Sequence, residues 1–249
     1  MLGSEPHSDP NTASESDTPL SGPEPFVALR LLVAGIGGVG GYFGGLLARR
    51  YEHDPAVEIR FLARGENLAR IRENGLRVID PDGEFTARPA LATDDGEQAG
   101  PADVVLLCTK SYDLETTLEQ IWPCLTPRTL VVPTLNGVDA RARIEALAPG
   151  LPVTNGCVYI TSRLTAPGVV ENFARNQKLY FGRISGGHST GETAPGATQA
   201  AEFPDPAHSA APTASPTDTP DLHARLDQLQ GLFRGAGIDL AIIDIHSGE

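Results

Sequence analysis

The sequence predicts an α/β fold wound in both directions about a mostly parallel sheet. Three observations lead there. Residues 26–34 are a nearly unbroken apolar run ending in glycines, as expected of a strand buried on both faces of a parallel sheet. A helical pattern follows at once, with Val39, Tyr42, Phe43, Leu46 and Leu47 at i, i+3, i+4, i+7 and i+8. Strand and helix signals then alternate, which separates α/β from all-β and segregated α+β chains.

The elements follow in order. The first helix carries Arg49 and Arg50 in its last turn, where cations favour the helix dipole. Val57 to Leu62 reads as the second strand, and Leu68 with Ile71 marks a helix that Gly75 can close. Leu76 to Ile79 and Glu84 to Arg88 flank Asp80-Pro81-Asp82-Gly83, a turn sequence that predicts a hairpin. Asp103 to Cys108 is the next strand. Leu114, Thr117, Leu118 and Ile121 trace a helix face, Leu130 to Pro133 a strand, and Asp139 can cap a helix carrying Ile144 and Leu147. Leu151 to Thr161, Gly168 to Phe173 and Lys178 to Gly182 are β-like without helix signals between them, so the sheet is expected to continue there with antiparallel pairing. Leu222, Leu226, Leu229 and Phe233 form a last helix face, and Ile238 to Ile243 a last strand.

Charge sets the domain boundaries. The 249 residues carry 19 Lys plus Arg against 32 Asp plus Glu, a net charge of -13. A net anion with no basic stripe repels phosphate, which excludes nucleic acid as a partner. Residues 1–25 and 186–221 hold ten acids and no Lys or Arg, with 11 of the 21 prolines. Such segments bury too little apolar surface to offset the entropy of ordering them. The reading is therefore a disordered acidic tail (1–25), a domain over 26–185, a disordered insertion (186–221), and the last helix and strand of the same domain (222–249). No apolar run approaches the ~20 residues of a membrane helix. The three cysteines, Cys108, Cys124 and Cys157, show no CxxC spacing, His7, His188 and His208 lie in the two acidic segments, and His53, His223 and His246 stand singly, so neither a disulfide framework nor a metal site is indicated. No targeting peptide is evident, and a cytoplasmic location is expected.

Gly35-Ile36-Gly37-Gly38-Val39-Gly40 fits G-x-G-x-x-G between a buried strand and an amphipathic helix, the context in which this motif binds dinucleotides in Rossmann-like folds. Gly35 permits the tight turn, Gly37 lets a pyrophosphate approach the backbone, and Gly40 lets helix pack on strand. The helix N-terminus near Gly38 favours phosphate charge. The second strand ends at Arg64 rather than an acid, which favours a 2'-phosphate and hence NADP. A solvated loop arginine is the alternative, and Glu66 lies close by. Lys110 follows a strand at its carboxyl end, where it could reach a phosphate or a substrate carboxylate, although by itself it reads more simply as a solvated lysine. Asn136-Gly137 is a good turn pair whose amide could equally hold a ribose hydroxyl or a substrate oxygen.

Gly35-Ile36-Gly37-Gly38-Val39-Gly40-Gly41-Tyr42-Phe43-Gly44, Phe61-Leu62-Ala63-Arg64, Leu106-Leu107-Cys108-Thr109-Lys110, Leu135-Asn136-Gly137-Val138 and Pro167-Gly168-Val169-Val170 occur in this order. The series resembles the cofactor-binding domain of ketopantoate reductase (2-dehydropantoate 2-reductase). The resemblance implies NADPH-dependent reduction of 2-dehydropantoate, a 2-keto acid, to (R)-pantoate on the way to pantothenate and coenzyme A. It implies that the glycine loop and Arg64 hold the adenine side of NADPH, that Lys110 and Asn136 lie near nicotinamide and substrate, and that Ser162 is a further cofactor contact. The resemblance also implies an all-helical second domain bearing the catalytic lysine in members of the family, and this chain is expected to lack it. No catalytic residue is therefore assigned to this chain. An exposed apolar face where that domain would dock, with some tendency to associate, is expected. A non-catalytic NADPH-binding remnant or half-enzyme, or another 2-keto acid or opine-type dehydrogenase, are the competing readings.

Overall fold

The computed structural model of the protein describes residues 28–135, 139–185 and 219–246. The acidic tail, most of the 186–221 stretch and Asn136 lie outside the described residues. In chain order the elements are β1 (Leu29–Ala34), α1 (Gly38–Tyr51), β2 (Val57–Leu62), α2 (Gly65–Asn74), β3 (Leu76–Asp80), β4 (Gly83–Ala87), β5 (Leu91–Thr93), α3 (Gly96–Ala99), β6 (Val104–Leu107), α4 (Leu114–Ile121), β7 (Leu130–Pro133), α5 (Ala140–Leu147), β8 (Gly156–Ala166), β9 (Val169–Ser185), α6 (Thr219–Gly235) and β10 (Asp239–His246).

The first sheet has the order β5-β2-β1-β6-β7 and is parallel throughout. Strand order reverses at β1, whose neighbours are β2 on one side and β6 on the other, and ligands collect outside the carboxyl ends of strands at such a point. Both faces are covered, and alternate residues of one strand serve two cores. Leu31 and Val33 of β1 pack with α1, α6 and β9, while Leu32 and Ala34 pack with α4 and α5. Phe61, fully buried beneath α1, is the largest single contribution from β2. Its truncation to Ala should cost about 3–5 kcal/mol.

A second sheet, β10-β9-β3-β4 with β8 also paired to β9, corrects the expectation of one continuous sheet. The predicted hairpin forms as β3–β4 but belongs to this second layer. The segments predicted after residue 151 resolve into β8 and the 17-residue β9. Along β9, β3 and then β10 pair in parallel, while β8 pairs antiparallel. The length of β9 is hidden in the sequence because Arg175, Asn176 and Lys178 are exposed and break the apolar signal.

Helix α1 is gripped between the layers. A Cβ at Gly44 would come within 3.0 Å of Phe61 in the first sheet, and one at Gly45 within 2.6 Å of Val78 Cγ2 in the second. Small residues on both flanks let the two sheets close on one helix. Two hydrogen bonds tie α1 to α6, from Tyr51 Oη to the Leu232 carbonyl at 2.8 Å and from Arg50 Nε to the Gly235 carbonyl at 3.1 Å. Helix α6 begins at Thr219, three residues before the expected start at 222. Pro220 is compatible with that start, because proline is preorganised for a helix's first turn.

At the opposite end of the first sheet from the carboxyl ends, Arg30 and Asp103 fasten β1 to β6. Asp103 accepts from the Arg30 backbone N–H (2.9 Å), Nε (3.0 Å) and Nη2 (3.0 Å), and its own N–H donates to the Arg30 carbonyl at 2.9 Å. Burial pushes the Asp103 carboxyl up, but the hydrogen bonds and charge of Arg30 outweigh this and hold it below the usual carboxylate range.

The outward face of the second sheet carries Cys157 and Tyr159 of β8, Tyr180 of β9 and Ile243 of β10. The two tyrosine rings meet edge to face at 5.8 Å. Tyr159 is 60% and Ile243 46% exposed, so apolar side chains stand open to water on this face, beside the Lys178–Asp239 ion pair. Among the described residues no helix is long and apolar enough to cross a membrane.

Candidate functional site

Three loops at the carboxyl ends of β1, β2 and β6 enclose a cleft of about 240 Å³. That is below the ~300–1,000 Å³ of pockets that engulf a whole ligand, so the cleft suits one portion of an extended molecule. The β1 loop brings Gly35, Ile36 and Gly37, the β2 loop Leu62 to Arg64 and Asn67, and the β6 segment Cys108 to Lys110 with Asp113. The fold thus places the glycine motif, Arg64 and Lys110 on one cavity at the reversal of strand order.

Each glycine of the motif has its own physical role. Gly35 has φ +96°, a conformation that side chains resist, and a Cβ there would lie 2.9 Å from the Thr109 nitrogen. At Gly38 a Cβ would run into the Ser162 carbonyl, and at Gly40 into the Gly35 carbonyl and Cys108. Gly37 differs, since nothing lies within 4 Å of a Cβ built there. The protein itself does not require glycine at 37, and the space stands open at the start of α1. No side chain caps α1 and its first turn holds no acid, so its leading N–H groups and dipole favour an anion. Ile36 is buried and Val39 half-buried against the larger core.

Arg64 leaves β2 in extended conformation and begins α2, its guanidinium exposed at the cleft wall. Its Nη2 lies 3.9 Å from Asp113 Oδ2. Glu66, two residues further on, turns instead to Arg70 at 3.8 Å. Lys110 is exposed, has no ion pair among the described residues, and its carbonyl accepts the Asp113 N–H at 2.9 Å. The following turn is clamped by Arg143 of α5, which donates to Ser111 Oγ and the Ser111 carbonyl, each at 2.9 Å, and to Glu115 at 3.0 Å. The segment carrying Lys110 is therefore fixed from behind.

Cys108 borders the cleft, but burial pushes its thiol up to about 12, against the opposing pull of its hydrogen bond from Thr134 Oγ1 at 3.2 Å. It is a packed thiol rather than a nucleophile at neutral pH. Ser162 sits on β8 with its carbonyl against Gly38, and its Oγ is buried without a hydrogen-bond partner. The structure brings together Gly35, Ile36, Gly37, Arg64 and Lys110 at the cleft, with Gly38, Val39 and Gly40 continuing directly into α1.

Sequence reading missed Asn67 and Asp113. Asn67 bonds to the Ile36 carbonyl and to the Gly168 N–H, and nothing in its local spacing announces partners 31 and 101 residues away. Asp113 could have been noticed as a helix-initiating acid three residues after Lys110.

Residues 31–186 match the family described as ketopantoate reductase PanE/ApbA, which covers more than half of the chain. The chain belongs to the ketopantoate reductase family. A 2-dehydropantoate 2-reductase of Halobacterium salinarum is 34% identical over 160 residues, 64% of this chain and 50% of the relative. The crystal structure of a 2-dehydropantoate 2-reductase from Porphyromonas gingivalis W83 superposes with a TM-score of 0.67 at 33% identity, covering 87% of this chain and 64% of that one. A D-mandelate dehydrogenase solved with NADH and anilino(oxo)acetate shares the fold, with a TM-score of 0.62 at 19% identity over 86% of this chain and 57% of its own. The family is one of oxidoreductases. This ketopantoate reductase family chain spans about half the length of the curated relatives it matches.

Proposed function

We propose that the cleft binds NADPH and that the chain is the cofactor-binding part of an enzyme reducing 2-dehydropantoate to (R)-pantoate, a step toward pantothenate and coenzyme A. The observation that carries this is the vacant space over Gly37 at the helix N-terminus, with the Arg64 guanidinium and Lys110 on the same cleft. Backbone N–H groups of the glycine turn hold the diphosphate. Arg64 holds the 2'-phosphate by charge-assisted hydrogen bonds, and Ser162 is a further contact to the nucleotide. Lys110 and Asn136 orient the substrate carboxylate and the nicotinamide end. Bound in this way, NADPH supplies hydride to the ketone carbon of the 2-keto acid.

The ketone oxygen then gains charge that a positioned acid must quench, a contribution of typically ~10² to 10⁴ in rate. The sequence has two lysines. Lys178 pairs with Asp239 at 3.4 Å on the second sheet, and Lys110 is committed to binding. The resemblance implies that this acid is a lysine, and with neither of the two left for that role this chain alone is expected to bind the nucleotide without turning over. The outward face of the second sheet, where Tyr159 and Ile243 are exposed, is where further protein packs in this reading.

Titration of the full chain with NADPH and NADH, followed by an NADPH-oxidation assay with 2-dehydropantoate, tests these statements. Tighter NADPH binding and no oxidation are expected. Failure to bind either nucleotide refutes the reading, and turnover at ordinary enzyme rates refutes the half-enzyme part of it. A second reading, a dehydrogenase for another 2-keto acid or an opine, draws on the fold shared with D-mandelate and octopine dehydrogenases. If the chain, supplemented in trans with the part of a family relative that it does not span, oxidises NADPH with other 2-keto acids but not with 2-dehydropantoate, this second reading is correct.

A further inference from the structure

Asn67 stands in the first turn of α2 on the wall of the cleft, with both ends of its side-chain amide engaged. Nδ2 donates to the Ile36 carbonyl at 2.8 Å, and Oδ1 accepts from the Gly168 N–H at 2.8 Å. Because a carbonyl only accepts and an N–H only donates, the two partners fix which way the amide faces. One partner lies inside the glycine turn, and the other lies in the turn joining β8 to β9. Gly168 is itself held, since its carbonyl accepts the Arg77 N–H of β3 at 2.9 Å and its φ is +74°.

The Ile36 carbonyl belongs to the same planar trans peptide as the Gly37 N–H, and the two point in opposite directions. Holding the oxygen therefore sets the direction of that N–H. Gly37 supplies one of the two torsions that flank this peptide and opposes its rotation little, and a rotated plane would turn its carbonyl, the negative end of its dipole, toward an incoming phosphate. We propose that Asn67 is a positioning residue for the diphosphate-binding turn: it orients the Ile36–Gly37 peptide before the ligand arrives and couples that peptide to the second sheet through Gly168. The proposal rests on the dinucleotide reading above. It concerns the diphosphate, which NADPH and NADH share, so Asn67 affects both nucleotides alike, whereas Arg64 tells them apart.

The test uses the full chain and its Asn67→Ala and Asn67→Asp variants, each titrated with NADPH and NADH and each melted without ligand. The Ala variant is expected to weaken both nucleotides by about five- to tenfold, the loss that a hydrogen-bonded orienting group carries, with the ratio between them unchanged. The Asp variant keeps an acceptor for Gly168. It turns an oxygen against the Ile36 carbonyl, and is expected to bind both nucleotides more weakly than the Ala variant. An Ala variant that melts early yet binds both nucleotides as the parent does would make Asn67 a structural brace only. An Asp variant binding like the parent, or a changed ratio in either variant, would also overturn the proposal. A parent chain that binds neither nucleotide would instead sink the functional reading itself, a result distinct from any of these.

Discussion

Arg64 Nη2 and Asp113 Oδ2 face each other across the mouth of the cleft at 3.9 Å. The pair joins the loop after β2 to the turn after β6, and it places an acid beside the cation assigned to the 2'-phosphate. Arg64 is 57% exposed, and pairs of this kind contribute about 0.2–1 kcal/mol. Asp113 therefore orients Arg64 without holding it tightly, and competes with any phosphate that approaches.

The Arg64→Ala substitution should lower NADPH affinity by roughly 10- to 100-fold, the range for a charged hydrogen-bonding group on phosphate, and leave NADH binding nearly unchanged. Asp113→Asn should do the reverse and tighten NADPH by about two- to fivefold. Paired titrations decide, and equal losses for both nucleotides on removing Arg64 would mean that it does not sense the 2'-phosphate.

Gly37→Ala and Gly38→Ala should separate ligand from fold. A Cβ at 37 meets no protein atom, whereas one at 38 strikes the Ser162 carbonyl. The first variant should melt like the parent and lose most nucleotide affinity. The second should lose about 1–3 kcal/mol of stability, as overpacked sites do. Thermal melts set beside NADPH titrations of the two variants check this, and an unaltered NADPH affinity in Gly37→Ala would contradict it.

The Arg30–Asp103 clamp predicts acid sensitivity. A carboxyl held below its unfolded value contributes stability that is complete above the unfolded value near pH 4 and is lost as pH falls through the folded one. Asp103→Asn should flatten this acid limb and lower stability at pH 7 by about 1–2 kcal/mol, a figure discounted for the partial exposure of both partners. Urea midpoints between pH 7 and pH 3 provide the comparison.

The cysteines should react in a fixed order. Cys157 is exposed, while burial pushes Cys108 up to about 12 and Cys124 to about 11. Iodoacetamide at pH 8 should label Cys157 alone in the native chain and all three after unfolding, as mass spectrometry would show. In the unfolded chain these thiols ionise near pH 8.5. Cys108 and Cys124 therefore cost stability as pH rises above that value and up to the folded values.

Much of this was legible before the structure. A doubly buried parallel strand has no alternation to misread, so β1, β6 and β7 announce themselves as apolar runs, while β2 shows as Val57, Ile59 and Phe61 alternating with Glu58 and Arg60, and the glycine motif depends only on neighbours in sequence. Strand β5 and helix α3 are three and four residues long, too short to show a period. The second sheet escaped because β8 and β9 each present one face to water, and because β3 and β9 pair over about ninety residues of intervening chain. Within the site, the glycine turn and Arg64 were readable as local patterns. Asn67 was not, since its two hydrogen bonds reach across the fold.

The grip on α1 from both sides has a consequence for how the chain can be divided. Val33 and Phe61 support one flank of that helix while Val78 and Val170 support the other, so no self-sufficient mononucleotide module ends at β7. Expression of a fragment stopping short of Gly156 would strip the helix of half its bed, and the diphosphate turn at its head would lose its footing even though every residue of the glycine motif remained.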